Sequence, residues 1–105
     1  MEQPNLNYIN EISGDDMEFK DKMISILKKE MPLETALYHE KINASQFMEA
    51  ALIVHKIKHK ISILGLEKSY YIAEKFEVNL KNNGTDLAQD FEAILQSMQK
   101  FVDNL

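Results

Sequence analysis

Apolar residues recur at three- and four-residue intervals along nearly the whole of this 105-residue chain, and only three glycines and two prolines interrupt them. That period stacks side chains on one helical stripe, whereas a half-buried strand needs alternation at every second residue. No segment sustains such alternation, so the chain reads as all-α. A short first helix is expected over residues 6–12, stopped by Ser13-Gly14. Asp15 or Asp16 can cap the second, whose apolar positions are Phe19, Met23, Ile26, Leu27 and Met31. Pro32 lacks a backbone donor and is expected to kink or restart this helix. Helical spacing resumes with Leu33, Leu37 and Tyr38 and fades near Asn43. A third helix is expected over 44–64, with Gly65 as its left-handed stop. The fourth is expected over 66–82, with Ala73, Phe76 and Leu80 on one stripe, ending at Asn83-Gly84. Thr85 or Asp86 is expected to cap the last, which carries Leu87, Phe91, Ile94, Leu95, Met98, Val102 and Leu105. Four long amphipathic helices on short loops predict an antiparallel four-helix bundle with a short additional N-terminal helix, forming a single domain over 1–105.

Composition narrows the function. The net charge of −5 opposes nucleic-acid binding, which needs clustered cations against phosphate. With no cysteine there is neither a disulfide nor a thiolate metal site. The first residues, Met1 to Asn5, carry no basic or apolar leader, and the longest apolar run is Ala50 to Val54, far short of a membrane span. The expectation is a soluble, cytoplasmic, freestanding monomer. Within the acidic chain, Lys56, Lys58 and Lys60 form a local positive island beside His55 and His59, while most carboxylates lie elsewhere in the sequence.

The third helix carries the chemistry. On a wheel of about 100° per residue, Phe47, Ala50, Ala51, Val54, Ile57, Ile61 and Leu64 share the core arc. His55 and His59 project from the opposite side, together with Met48, Leu52 and Ile63, three apolar residues on what should be a solvated face. Such a strip needs a second partner. Two covers are open: the short first helix with Leu6, Tyr8 and Ile9, or another protein docked over the histidines. A neutral imidazole is a good nucleophile near neutral pH, and Lys58, three residues after His55, neighbours it on the helix surface. That pairing suits an imidazole that is itself phosphorylated, with the Lys58 ammonium against the phosphoryl oxygens. Lys56 and Lys60 diverge around the helix and would tune the local potential.

At these residues the chain resembles the histidine-containing phosphotransfer (HPt) family, whose pattern is His, any residue, a large apolar residue, Lys, Gly and a small residue, with a Leu-Gly pair further on. His55, Ile57, Lys58 and Leu64-Gly65 fit, as do Phe76-Glu77 in the next helix and Ile12-Ser13-Gly14-Asp15-Asp16 through Phe19 upstream. His59 and Lys60 depart from it, standing where the family has glycine and a small residue. A histidine there could swing aside, hydrogen-bond the phosphate, narrow the choice of partner, or be the acceptor itself; Ile57, Lys58 and Gly65 register with His55. The resemblance implies a phosphorelay carrier and not an ATP-dependent kinase. Receiver domains of response regulators would be its partners, with that of a hybrid histidine kinase among the candidates. Met48, Leu52, Lys56, His59 and Ile63 would form the docking face. No cofactor of its own is implied, and the magnesium ion would belong to the receiver.

Two rivals remain open. His55 and His59 have the spacing of the paired histidines in His-Glu-x-x-His metal sites, with His39 as a distant third ligand, but Lys56 stands where the general-base glutamate belongs. A non-catalytic interaction module would need only the apolar strip. Tyr70-Tyr71 read as core or boundary residues, and Asp90, Glu92 and Asp103 as the solvated face of the last helix.

Overall fold

Turn chemistry sets the element boundaries in the computed structural model, which describes residues 2–105. Helix α1 covers Asn7–Ser13 and stops at Gly14, whose φ of 54° lies in the left-handed region. Asp16, not Asp15, caps α2: its Oδ1 accepts from the Phe19 N–H at 3.0 Å. Helix α2 runs unbroken from Met17 to Asn43, so Pro32 does not restart it. Pro32 is exposed, which leaves the carbonyl it orphans open to water, while Leu27, Met31 and Tyr38 fix the helix on either side.

Helices α2, α3 (Phe47–Ile63) and α4 (Glu67–Lys81) end in the same way. Ser45, Gly65 and Asn83 each take positive φ. The next residue returns its N–H to a carbonyl five residues back: Gln46 to Lys41, Leu66 to Ile61 and Gly84 to Asn79. This motif satisfies carbonyls that a helix end would otherwise orphan. It also starts α3 at Phe47, since Ala44 and Ser45 belong to the turn. Helix α5 spans Ala88–Asp103 and has no side-chain cap. Thr85 serves it only through the main chain, its carbonyl accepting from Ala88 at 3.0 Å.

The described residues form five helices and no strand, in a body 45 × 23 × 19 Å. Helix α3 packs on α4 and α2, and α5 packs against α2 and α4. Tyr38, Phe76 and Phe91 meet at ring-centroid distances of 5.1 to 6.2 Å and join α2, α4 and α5 at the centre. Every expected core residue of α3 is buried except Phe47, which is half-buried, and Ile53 joins them. On α2 the expectation fails in part: Phe19, Ile26, Leu33 and Leu37 are exposed. These four repeat on one outer line, whereas Leu27, Met31 and Tyr38 face inward, so α2 carries two apolar stripes and only one is core. No described helix is long and apolar enough to cross a membrane.

The chain before α1 is strapped to the far end of α3. The Asn5 N–H donates to the Leu64 carbonyl at 2.9 Å, and the Asn5 side chain lies so close over Gly65 that a Cβ there would sit 2.7 Å from its amide nitrogen. Ile9 is fully buried and Tyr8 is exposed. Helix α1 therefore does not cover the apolar strip around the histidines: Met48 and Leu52 remain 59% and 65% exposed.

Candidate functional site around His55

Helix α3 faces α4 on one side and α2 on the other, and each side buries a lysine. The Lys58 and Lys60 side chains are each only 10% exposed. Burying an ammonium without a partner is costly, so each demands a carboxylate. Lys60 meets two from α2, Glu30 at 2.8 Å and Glu34 at 3.0 Å. Lys58 meets one from α4: its Nζ lies 3.1 Å from Glu77 Oε1 and 5.5 Å from the Tyr70 ring centroid, where a cation gains from the ring face. The positive island of the sequence is thus largely neutralised by carboxylates that folding imports from neighbouring helices. Lys56 stays exposed.

Glu77 is the hub. Its carboxylate, 11% exposed, takes Lys58, then Lys81 one turn along α4 at 3.3 Å, and the Nδ1 of His55 at 3.2 Å from both oxygens. Burial alone would push this carboxyl up, but hydrogen bonds from Lys58, His55 and Lys81 outweigh it and hold the group below its ordinary value of 4.5. Glu77 is therefore ionised near neutral pH, and an ionised carboxylate can only accept. His55 must then donate from Nδ1. In the neutral ring this leaves the Nε2 lone pair unprotonated. The imidazole is half exposed. The arrangement is that of an oriented nucleophile: one nitrogen anchored to a fixed anion, the other open to a visitor.

The other residues of the strip sit as follows. Met48, Leu52, Lys56 and His59 are exposed beside His55. Ile63 is partly buried against the core and lines a groove of about 340 Å³ between α2 and α3, with Met23, Ile26, Leu27 and His59. The His55 and His59 rings meet edge to face, 5.0 Å between centroids at 74°. His39 is committed elsewhere: its Nε2 lies 2.7 Å from Glu92 Oε1 on α5, which makes Glu92 a paired residue and not part of a merely solvated face. Among the described residues no three His, Cys, Asp or Glu side chains converge as a metal site.

Sequence reading matched Phe76-Glu77 to a family pattern without giving Glu77 a role. A signal was available. Ala73, Phe76, Glu77 and Leu80 follow the i, i+3, i+4, i+7 spacing of one buried stripe, so an acid occupies a core-facing position and must find a cation. Lys81 and Tyr70 carried no comparable signal.

Comparison with models of known families, with curated proteins and with solved structures yields no match for this chain.

Proposed function

We propose that the chain is a histidine phosphotransfer protein whose His55 receives and surrenders a phosphoryl group. The observation that carries this reading is the half-exposed imidazole with Nδ1 pinned to Glu77 and Nε2 free. In the reaction proposed, the Nε2 lone pair attacks the phosphorus of a phospho-aspartate on a receiver domain. The P–N bond forms as the P–O bond to the aspartyl carboxylate breaks, and the carboxylate leaves with its electron pair. The ring then carries Nδ1–H and a positive charge shared over both nitrogens, and the Glu77 anion stabilises it. Return transfer reverses each step.

Phosphoryl transfer is mainly positioning and charge stabilisation, so an acceptor protein can supply little more than an aligned nucleophile. A receiver-bound Mg²⁺ would neutralise phosphoryl charge; the chain itself would supply His55, Glu77 and a docking surface. Lys58 acts in this scheme by fixing Glu77, since its ammonium is already bonded to it. Its direct contact with phosphate, the simpler sequence expectation, would require leaving a buried ion pair. Met48 and Leu52 expose an apolar surface beside His55 onto which a receiver could close, with Lys56, His59 and Ile63 at its edge. The reading carries with it an antiparallel four-helix bundle, favoured by short connections and the packing of each long helix on two others, and a cytoplasmic monomer.

Incubation with a phosphorylated receiver should yield an acid-labile, base-stable label on the protein that His55→Gln abolishes. A His55→Gln protein labelled as well as the parent would refute the assignment. The exposure of Met48 and Leu52 also fits an interaction module without chemistry; that reading requires partner binding to persist in His55→Gln and no label in the parent.

A further inference from the structure

We propose that His59 is the residue that holds the phosphoryl group once it is on His55, a role that rests on the phosphotransfer reading above. Four cationic or donor side chains flank His55 on α3, and the structure disposes of them differently. Lys60 is bonded to Glu30 and Glu34. Lys58 is bonded to Glu77 and lies over Tyr70. Lys56 is exposed but stands about 100° around the helix from His55. His59 stands about 40° around, on the side opposite Lys58, which lies about 60° toward α4.

The ring geometry decides which nitrogen carries the phosphoryl group. With Nδ1 turned to Glu77 on α4, Nε2 is the nitrogen left over, and the His59 ring, on the flank away from Lys58, lies 5.0 Å from that of His55, centroid to centroid. A phosphoryl group on Nε2 projects its oxygens past the ring edge. A ring N–H of His59 can donate to them, and a hydrogen bond onto an anionic oxygen is stronger than a neutral one. No hydrogen bond occupies His59 among the described residues. Its charged neighbours at the α2–α3 groove are Glu30 and Glu34 from α2 and Lys56 and Lys60 from α3, and both glutamates are engaged by Lys60. The division of labour is then asymmetric: Glu77 and Lys58 orient the nucleophile, and His59 retains what it has captured.

The test uses the full chain labelled with phosphoramidate, whose phosphorus is attacked by Nε2 as its own P–N bond breaks and ammonia departs. Phosphorus NMR follows the lifetime of the phosphohistidine in the parent, His59→Ala and His59→Asn, and ring ¹⁵N spectra of the parent follow His59 itself. We expect phosphorylation of His55 to move the His59 ring resonances. We expect His59→Ala to accept the group and lose it roughly three- to tenfold faster, the size of one net hydrogen bond. The amide donor of His59→Asn should restore part of the lifetime. Unmoved His59 resonances, or a His59→Ala lifetime equal to or longer than the parent's, would overturn this role and leave the phosphotransfer reading standing. Absence of any phosphohistidine in the parent would sink both.

Discussion

The two flanks of α3 solve the same electrostatic problem and arrive at different chemistry. On the α2 side, Lys60 is divided between Glu30 and Glu34, and among the described residues no other side chain is bonded to either carboxylate. On the α4 side, a single carboxylate serves Lys58, Lys81 and the ring of His55, and so reaches the surface through an imidazole. Burial is alike for the two lysines. What separates a clamp from the proposed site is that one anion has a half-exposed imidazole among its partners. If this contrast is right, the two flanks should respond to mutation along separate axes: the α2 side in stability alone, the α4 side in stability and transfer together.

The largest effect should come from Glu77→Ala. It leaves Lys58 buried without its anion and frees the His55 ring, so urea unfolding should show a loss of about 3 kcal/mol, typical of a broken buried pair. Transfer measured at a temperature where the variant is folded should fall about a hundredfold, as misplaced reacting groups do. Normal transfer in folded Glu77→Ala would dissolve the contrast. Lys58→Ala comes next. A lysine 10% exposed in a salt bridge is also a stability element. We expect about 2 kcal/mol lost and transfer slowed about tenfold, a milder version of Glu77→Ala because His55 and Lys81 still hold the carboxylate.

Lys60→Met supplies the other arm. Its stem fills the same space and Glu30, about half exposed, can turn to water, but Glu34, 19% exposed, loses its cation, so thermal or urea unfolding should register about 2 kcal/mol. Transfer should match the parent's; slowed transfer in this variant would show that the flanks are not separate. Leu52→Asp, which touches neither cluster, should weaken partner docking about tenfold in titration calorimetry while stability stays within about 0.5 kcal/mol.

The smallest signal lies in pH. The folded-state pKa of Glu77 is lowered, so its contribution is in place above the ordinary value of 4.5 and is lost as pH falls through the lower folded value. Lys60 behaves oppositely. Burial would lower its pKa, but Glu30 and Glu34 outweigh that and raise it above 10.5, so its contribution is in place below 10.5 and lost as pH rises further. Glu77→Gln should therefore flatten the acid limb of the stability profile, and Lys60→Met the alkaline limb. An acid limb unchanged in Glu77→Gln would place the titrating anion elsewhere.

Local signals were legible in the sequence. The helical period gave five helices, Asp16 capped α2, and Gly65 took the left-handed conformation expected of it. Ser45 was not legible, because serine seldom adopts positive φ and nothing in its neighbours marks the turn. Of the two outcomes expected at Pro32, a kink or a restart, the restart does not occur, because the flanking core contacts override the proline's local cost. The exposed residues of α2 misled because periodicity reports that a stripe exists, not which of two stripes faces inward. His55 and its neighbours on α3 could be placed by spacing, but the bond from His55 to Glu77 spans 22 residues, and that of the opposite flank, from Lys60 to Glu34, spans 26. No local pattern reports which helices will lie side by side: the stripe of α4 could show that Glu77 needs a cation, but its pairing with Lys58 and His55 emerged only with the fold.

The most direct test asks which atom of which ring becomes phosphorylated. Long-range ¹H–¹⁵N and ³¹P spectra of the phosphoramidate-treated protein should place phosphorus on Nε2 of His55, with Nδ1 still carrying its proton. Phosphorus on Nδ1, on His59, or on neither ring would contradict the account.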